Sequence, residues 1–329
     1  MRRLTILVLA LAAIYSAYWF MGARTVEGAA TARIEQMRLD GWTLAYDSLD
    51  TQGYPSRFDT TARALNVQTP TGDFGLKAAF VQALSLSYKP NEVILVLPDE
   101  QDVTIAGVPL TVKSDGLRAS AAVGLNTDLD LIRFTAEVGQ MSLDGSGGTV
   151  LSLSNALLAL RPAADDTLSY DLFADVDDLA LPINLRKILD PAGNFPPILS
   201  QFTVDANATM DRKLDRHILD ELKRPQVDAF KLNGMTVAWG PLSLRGTGDV
   251  TIDRVGIPSG MITLEAQNWR EMLQMAVNAG VVDSGVSRTL ETMGSLLAGG
   301  STSLSLPVTF QNGMMLIGPV PAGPAPRFR

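Results

Sequence analysis

The chain has no cysteine and a single histidine among its 329 residues. The first absence removes disulfides, thiol nucleophiles and cysteine-ligated metals, and the second leaves no histidine pair for a zinc site. Positive charge is also scarce: 27 Lys and Arg against 35 Asp and Glu leave a net charge of −8. Phosphate binding needs a cationic face, so nucleic acid is not expected as a partner. Aromatics make up only 6% of the chain while hydrophobic residues reach 46%, a balance that reads as folded, not disordered. Walker, nucleophile-elbow and H-E-x-x-H patterns are all missing, which removes the usual short signatures of phosphate, ester and zinc chemistry.

The polar residues that remain have plain readings. His217 stands among Asp215, Asp220 and Glu221, without the second histidine that a metal site needs, and is expected at the surface. Asn126, Asp128 and Asp130 alternate as three oxygen donors would on one strand face, but Leu131 and Glu137 occupy the sixth and twelfth places of an EF-hand loop. The acidic pairs Asp165-Asp166 and Asp177-Asp178 would point to opposite faces of a strand, which does not suit paired acid–base work. Neither an enzyme nor a cofactor nor a metal is expected.

What is present begins at the N-terminus. From Leu4 to Ala23 no charge interrupts the sequence, and Arg2, Arg3 and Arg24 flank it. Twenty helical residues rise roughly 30 Å, the thickness of bilayer hydrocarbon. Leu4, Leu7, Leu11 and Trp19 are read as the membrane anchor, with Tyr15, Tyr18, Trp19 and Phe20 as an aromatic belt. The basic N-terminus would stay cytoplasmic in a bacterial inner membrane, leaving the body periplasmic. The alternatives are a cleaved signal, with Gly28 and Ala30 as its small residues, and a buried core helix. Val26, Ala30, Ile34 and Met37 continue helical spacing until Gly41. Residues 1–40 are thus read as cytoplasmic tip, transmembrane anchor and helical stalk, and 41–329 as a β-rich body.

Beyond Trp42 the hydrophobic period falls to two, in short runs separated by Gly, Pro, Asp and Asn. Strands are expected near 42–48, 57–67, 74–88, 92–97, 102–105, 108–113, 116–124, 130–138, 149–160 and 167–174. Others follow near 200–210, 227–239, 242–253, 260–266, 302–310 and 314–317. Helices are expected over 183–190, 215–223, from Trp269 to Gly280, and from Asp283 to Leu297, the last with Val286, Leu290, Met293 and Leu297 along its one apolar face. Asn268 and Glu271 are read as a capping box for the third of these. The resulting class is α+β, mainly β: an N-terminal transmembrane helix, then an elongated curled antiparallel sheet with a few packed helices. Over 302–310 the residues Leu304, Leu306, Val308 and Phe310 share one strand face. They are the candidate lining of a hydrophobic groove, or else the core of an ordinary sandwich.

Two stretches carry a family likeness. Gly41–Val67, with its Gly53-Tyr54-Pro55 turn, resembles the opening of a bacterial domain-of-unknown-function family, the one numbered 2125. Trp239–Val282, with Gly248, Asp253, Gly256, Pro258 and Gly260 in sequence, is similar to that family's closing module, as is the terminal Gly318-Pro319 with its Pro-rich tail. The same rhythm also resembles AsmA-like envelope proteins. No activity attaches to the first family. The second likeness implies an anchored periplasmic protein whose curled sheet serves phospholipid traffic and outer-membrane assembly. The partners expected are therefore the lipid bilayer and a lipid or other hydrophobic ligand. The alternative is an assembly module that holds another envelope protein through a sheet edge.

Overall fold

A computed structural model describes residues 1–218 and 224–328. Helix α1 runs over Arg2–Leu39, and the strands begin with β1 (Thr43–Ala45), β2 (Ser48–Gln52), β3 (Arg57–Gln68), β4 (Phe74–Leu86) and β5 (Lys89–Val96). They continue with β6 (Glu100–Ile105), β7 (Val108–Ser114), β8 (Arg118–Val123), β9 (Leu131–Val138), β10 (Met141–Gly145) and β11 (Gly148–Leu153). Then come β12 (Asn155–Pro162), β13 (Ser169–Ala180), α2 (Ile183–Leu189), β14 (Ile198–Met210), β15 (Val227–Trp239), β16 (Leu242–Ile252) and β17 (Pro258–Gln267). Helices α3 (Trp269–Asn278) and α4 (Ser284–Ala298) precede β18 (Ser303–Gln311), β19 (Met314–Ile317) and β20 (Val320–Pro324). The class is mainly β with an N-terminal apolar helix, and the sheet pairing is antiparallel, as the alternating sequence implied.

The chain forms two compact units, one of residues 1–125 with 136–149, the other of 126–135 with 150–329. Two of the division points fall inside strands, one within β9 and one within β11.

In the first unit, β3 pairs with β1 near its end, with β2 near its start, and with β4 along its length. β4 in turn pairs with β5 through Gln82–Leu86 and with β6 through Phe74–Ala78. Helix α1 ends as its sequence predicts: Gly41 sits at φ +89°, its N–H donates to Arg38 O, and the Trp42 N–H donates to Met37 O. Those two bonds are a Schellman cap. The expected stalk is not free. The Thr51 N–H donates to Glu27 Oε1 at 2.7 Å, and Arg38 Nε donates to Leu44 O at 2.9 Å, which tie α1 to the sheet edge.

The aromatic end of α1 also departs from expectation. Leu4, Leu7 and Leu11 are exposed, but Trp19 is 4% exposed and packs with Ala23 on Phe58 of β3. Its Nε1 donates to Arg57 O at 2.8 Å. An indole beside a packed phenylalanine and a main-chain carbonyl gains both burial and a hydrogen bond, which a lipid-facing rotamer would forgo. The Gly53-Tyr54-Pro55 turn joins β2 to β3. Gly53 is at φ +103°, where a Cβ would lie 2.9 Å from Arg57 Cβ.

The second unit is a meander in which β12 through β20 pair in sequence order. The five residues that mark the family likeness lie in the β16–β17 hairpin. Asp253 Oδ1 accepts from the N–H groups of Val255 and Ile257, at 3.0 and 2.8 Å, and Gly256 takes φ +82°. Asp253 and Gly256 are turn chemistry. Three sequence expectations are corrected. Asn268 does not cap α3: it is left-handed, at φ 59°, and its Nδ2 donates instead to Pro241 O at 2.6 Å. Leu297, expected on the inner face of α4 with Leu290, is exposed because the helix ends one residue later and turns at Gly299. Residues 216–218 of the expected 215–223 helix form a turn, and 219–223 lie outside the described residues.

Candidate functional site

Four neighbouring strands bring one apolar face together. Register places Val237 beside Leu244, Leu244 beside Ala266, and Ala266 beside Leu304. The next layer runs Met235, Gly246, Leu264 and Leu306, and a third begins with Gly248, Ile262 and Val308. Because strand side chains alternate, these residues all project to one side of the sheet. Helices α3 and α4 cover that side. Trp269, Met272, Leu273 and Ala276 recur at the three- and four-residue spacing that lays one helical face on a sheet.

Between sheet and helices lies a cavity of about 330 Å³ that is partly open to the exterior. Every lining side chain is Val, Leu, Ile, Ala, Met or Trp. Leu304, Leu306 and Val308 line it; Phe310 does not, and pairs instead with Gly260 and Met315. The helix-borne walls escaped the sequence reading, although the Trp269–Ala276 spacing was their signal.

The two tryptophans at the cavity differ in a way that bears on its chemistry. Trp239 Nε1 donates to Pro196 O at 2.7 Å, and its ring meets Phe195 at a centroid distance of 5.5 Å. Trp269 is 4% exposed and carries the Arg270 guanidinium 4.4 Å from its ring centroid. Its Nε1 is buried and has no acceptor among the described residues. Buried indole N–H groups nearly always find one, and lacking it costs about 1–3 kcal/mol.

Asp190 holds the loop that carries Pro196. Its Oδ1 accepts from Asn194 N at 3.0 Å and its Oδ2 from Phe195 N at 2.8 Å. Burial opposes its ionisation, but the N–H groups of Phe195, Asn194 and Gly193 and the Arg186 charge outweigh it and hold the carboxyl below its ordinary value. A lowered pKa stabilises the fold fully above the unfolded carboxylate pKa of about 4, and that contribution is lost as pH falls through the lowered value. Thermal unfolding of the wild type should therefore drop more steeply below about pH 4 than that of Asp190→Asn. Parallel curves for the two would remove Asp190 from this role.

Among the described residues, the polar candidates do not assemble into a site. His217 Nδ1 faces Asp215 Oδ1 at 3.1 Å, while Asp220 and Glu221 lie outside the described residues. Asn126 Oδ1 accepts from the Asp130 N–H, and Asp130 Oδ2 accepts from Lys213 Nζ at 2.7 Å. Among the described residues no group of three or more His, Cys, Asp or Glu is placed to hold a metal ion.

Comparison with known proteins matches a family model to most of the chain. The family model described as an uncharacterized protein conserved in bacteria, DUF2125, covers residues 19–326. No curated protein and no solved structure matches the chain.

Proposed function

The chain belongs to the uncharacterized bacterial family DUF2125, and we propose that it is a membrane-anchored, non-enzymatic protein that takes an apolar chain into the cavity beneath α3 and α4. The observation that carries this reading is the cavity itself. Its walls are wholly apolar and partly open to the exterior, so they meet water unless an apolar group covers them. An acyl chain entering from the open side would do so, and the volume is at the small end for ligand sites, which suits a chain segment better than a whole lipid.

The N-terminal helix supports the location. Its apolar segment has a mean hydropathy of 2.0 and only 6% of it is buried, so by length and composition it can cross a bilayer. In this reading the basic N-terminus is cytoplasmic, the membrane is the bacterial inner one, and the body handles lipid in the periplasm.

Ala276 points the test. Replaced by Phe, it fills the cavity with a ring and needs no charge to be buried. The full chain, extracted from membranes in mild detergent, should carry an acyl lipid detectable by mass spectrometry. Ala276→Phe should carry about tenfold less, the effect of ~1.4 kcal/mol, while its circular dichroism stays that of the wild type. Equal lipid in both, or none in the wild type, would refute the reading and favour the assembly module.

A further inference from the structure

The tips of two hairpins in the first unit meet α1, and what they imply rests on reading α1 as a membrane span. Tyr54 lies in the β2–β3 turn, and Ser87 and Tyr88 form the β4–β5 turn. Both turns dock on the same stretch of α1. Ser16 Oγ and Tyr54 OH are 2.7 Å apart, Tyr15 OH and Ser87 Oγ are 2.9 Å apart, and Tyr18 OH donates to Ser87 O at 2.6 Å. Rings continue the contact: Trp19 meets Tyr54 edge-on at 5.5 Å, Phe20 stacks on it at 5.7 Å, and Trp19 covers Phe58. Gly22 brings the helix close enough that a Cβ there would stand 2.6 Å from Phe58 Cζ.

This docking conflicts with a body held clear of the membrane. The apolar run ends at Ala23, so its docked residues from Tyr15 onward lie within the last roughly 12 Å of the span. Were the bilayer to end before Tyr15, only Arg2–Ile14 would remain inside it, roughly 20 Å of helix against about 30 Å of hydrocarbon. The outer sides of the tips fit a wet apolar boundary: Tyr54 and Tyr88 are 52% and 65% exposed, and Leu86, Tyr18 and Phe20 are exposed beside them. Tyrosine is the side chain that sits between acyl chains and water.

We propose that the β2–β3 and β4–β5 tips are seated in the headgroup–acyl boundary of the bilayer around α1, with Tyr54 and Tyr88 in contact with lipid. The occupant of this surface is the membrane itself. Seated so, the first unit is held against the bilayer at three points, and not tethered by a single flexible helix.

Because the chain has no cysteine, single labels report without background. The full chain, with a polarity-sensitive fluorophore on Leu7→Cys, Tyr88→Cys or Thr71→Cys, is reconstituted into phosphatidylcholine vesicles brominated near the top of the acyl chains. Thr71 is exposed in the β3–β4 turn, at the far end of a strand that rises roughly 36 Å. The expected result is blue-shifted emission and comparable quenching at Leu7→Cys and Tyr88→Cys, each several-fold stronger than at Thr71→Cys. Quenching at Leu7→Cys alone would overturn the seating of the tips and leave the anchor standing. No quenching at Leu7→Cys would refute the membrane span, and this proposal with it. Equal quenching at all three would mean that the unit lies along the surface, which also overturns the three-point seating.

Discussion

Gly248→Ala is expected to destabilise the second unit by on the order of 3 kcal/mol or more, in the range reserved for strained or clashing backbone. Gly248 is at φ +153°, where its Cβ would fall 2.2 Å from Met261 O and 2.7 Å from Ile262 Cα. Gly260, on the facing strand, is at φ +144°, and its Cβ would fall 2.3 Å from Asp249 O and 2.8 Å from Val250 Cα. The two are linked by register, Gly248 opposite Ile262 and Val250 opposite Gly260. Each lacks a side chain so that the backbone of the other strand can come close. No flexible side-chain end can yield here, because the atoms met are main chain and part of a hydrogen-bonded ladder. Relief would mean opening β16 from β17 beneath the cavity. Gly260→Ala should behave alike, and Gly147→Ala, with nothing within 4 Å of its Cβ, should stay within about 0.5 kcal/mol of wild type. Thermal unfolding of the detergent-solubilised chain measures all three. A Gly248→Ala protein that melts with the wild type would refute the close approach.

Trp239→Ala should cost a similar amount, about 3–5 kcal/mol, for a different reason. Trp239 is 5% exposed and packs with Leu199 and Leu242, with Phe195, Leu189 and Met275 around them. Truncation loses the buried ring and enlarges a space that already adjoins the cavity. It also strands Pro196 O, whose donor is the Trp239 N–H. Trp239→Phe separates the two effects, since it keeps most of the apolar bulk and loses the bond. The expected order of melting is wild type, then Trp239→Phe, then Trp239→Ala. If Phe proved as damaging as Ala, the hydrogen bond would outweigh the packing, and the core assignment would need revision.

The regular strands were readable because alternation is a local property. Residues 303–311 alternate so strictly that the face of Leu304, Leu306 and Val308 follows from the two-residue period alone. Long strands near 57–67, 74–88, 200–210, 227–239 and 242–253 were legible in the same way, because their flanking Gly, Pro and Asp residues stop the pattern. Some short ones were not. Met141–Gly145 offers only a few residues of signal, and Val320–Pro324 pairs with Met314–Ile317 despite two prolines. A strand of that kind exists because a partner supplies its hydrogen bonds, which no local propensity records.

The sequence by itself determined the class, the apolar N-terminal helix with its glycine stop, and the family, through glycines that prove to be turn and close-approach residues. Those features rest on neighbours in the chain: a run of twenty uncharged residues, a φ that only glycine takes easily, a period of two. Tertiary structure alone decided the rest. Asn268 had the composition of a cap but spends its side chain on Pro241 O, twenty-seven residues away. Trp19 looked like a belt residue until Phe58 and the Arg57 carbonyl came to meet it. Leu304, Leu306 and Val308 shared a face on paper, but whether that face was filled depended on how closely α3 and α4 pack over it. Volume between elements belongs to no residue, so it is fixed only when the whole set of distant side chains is in place.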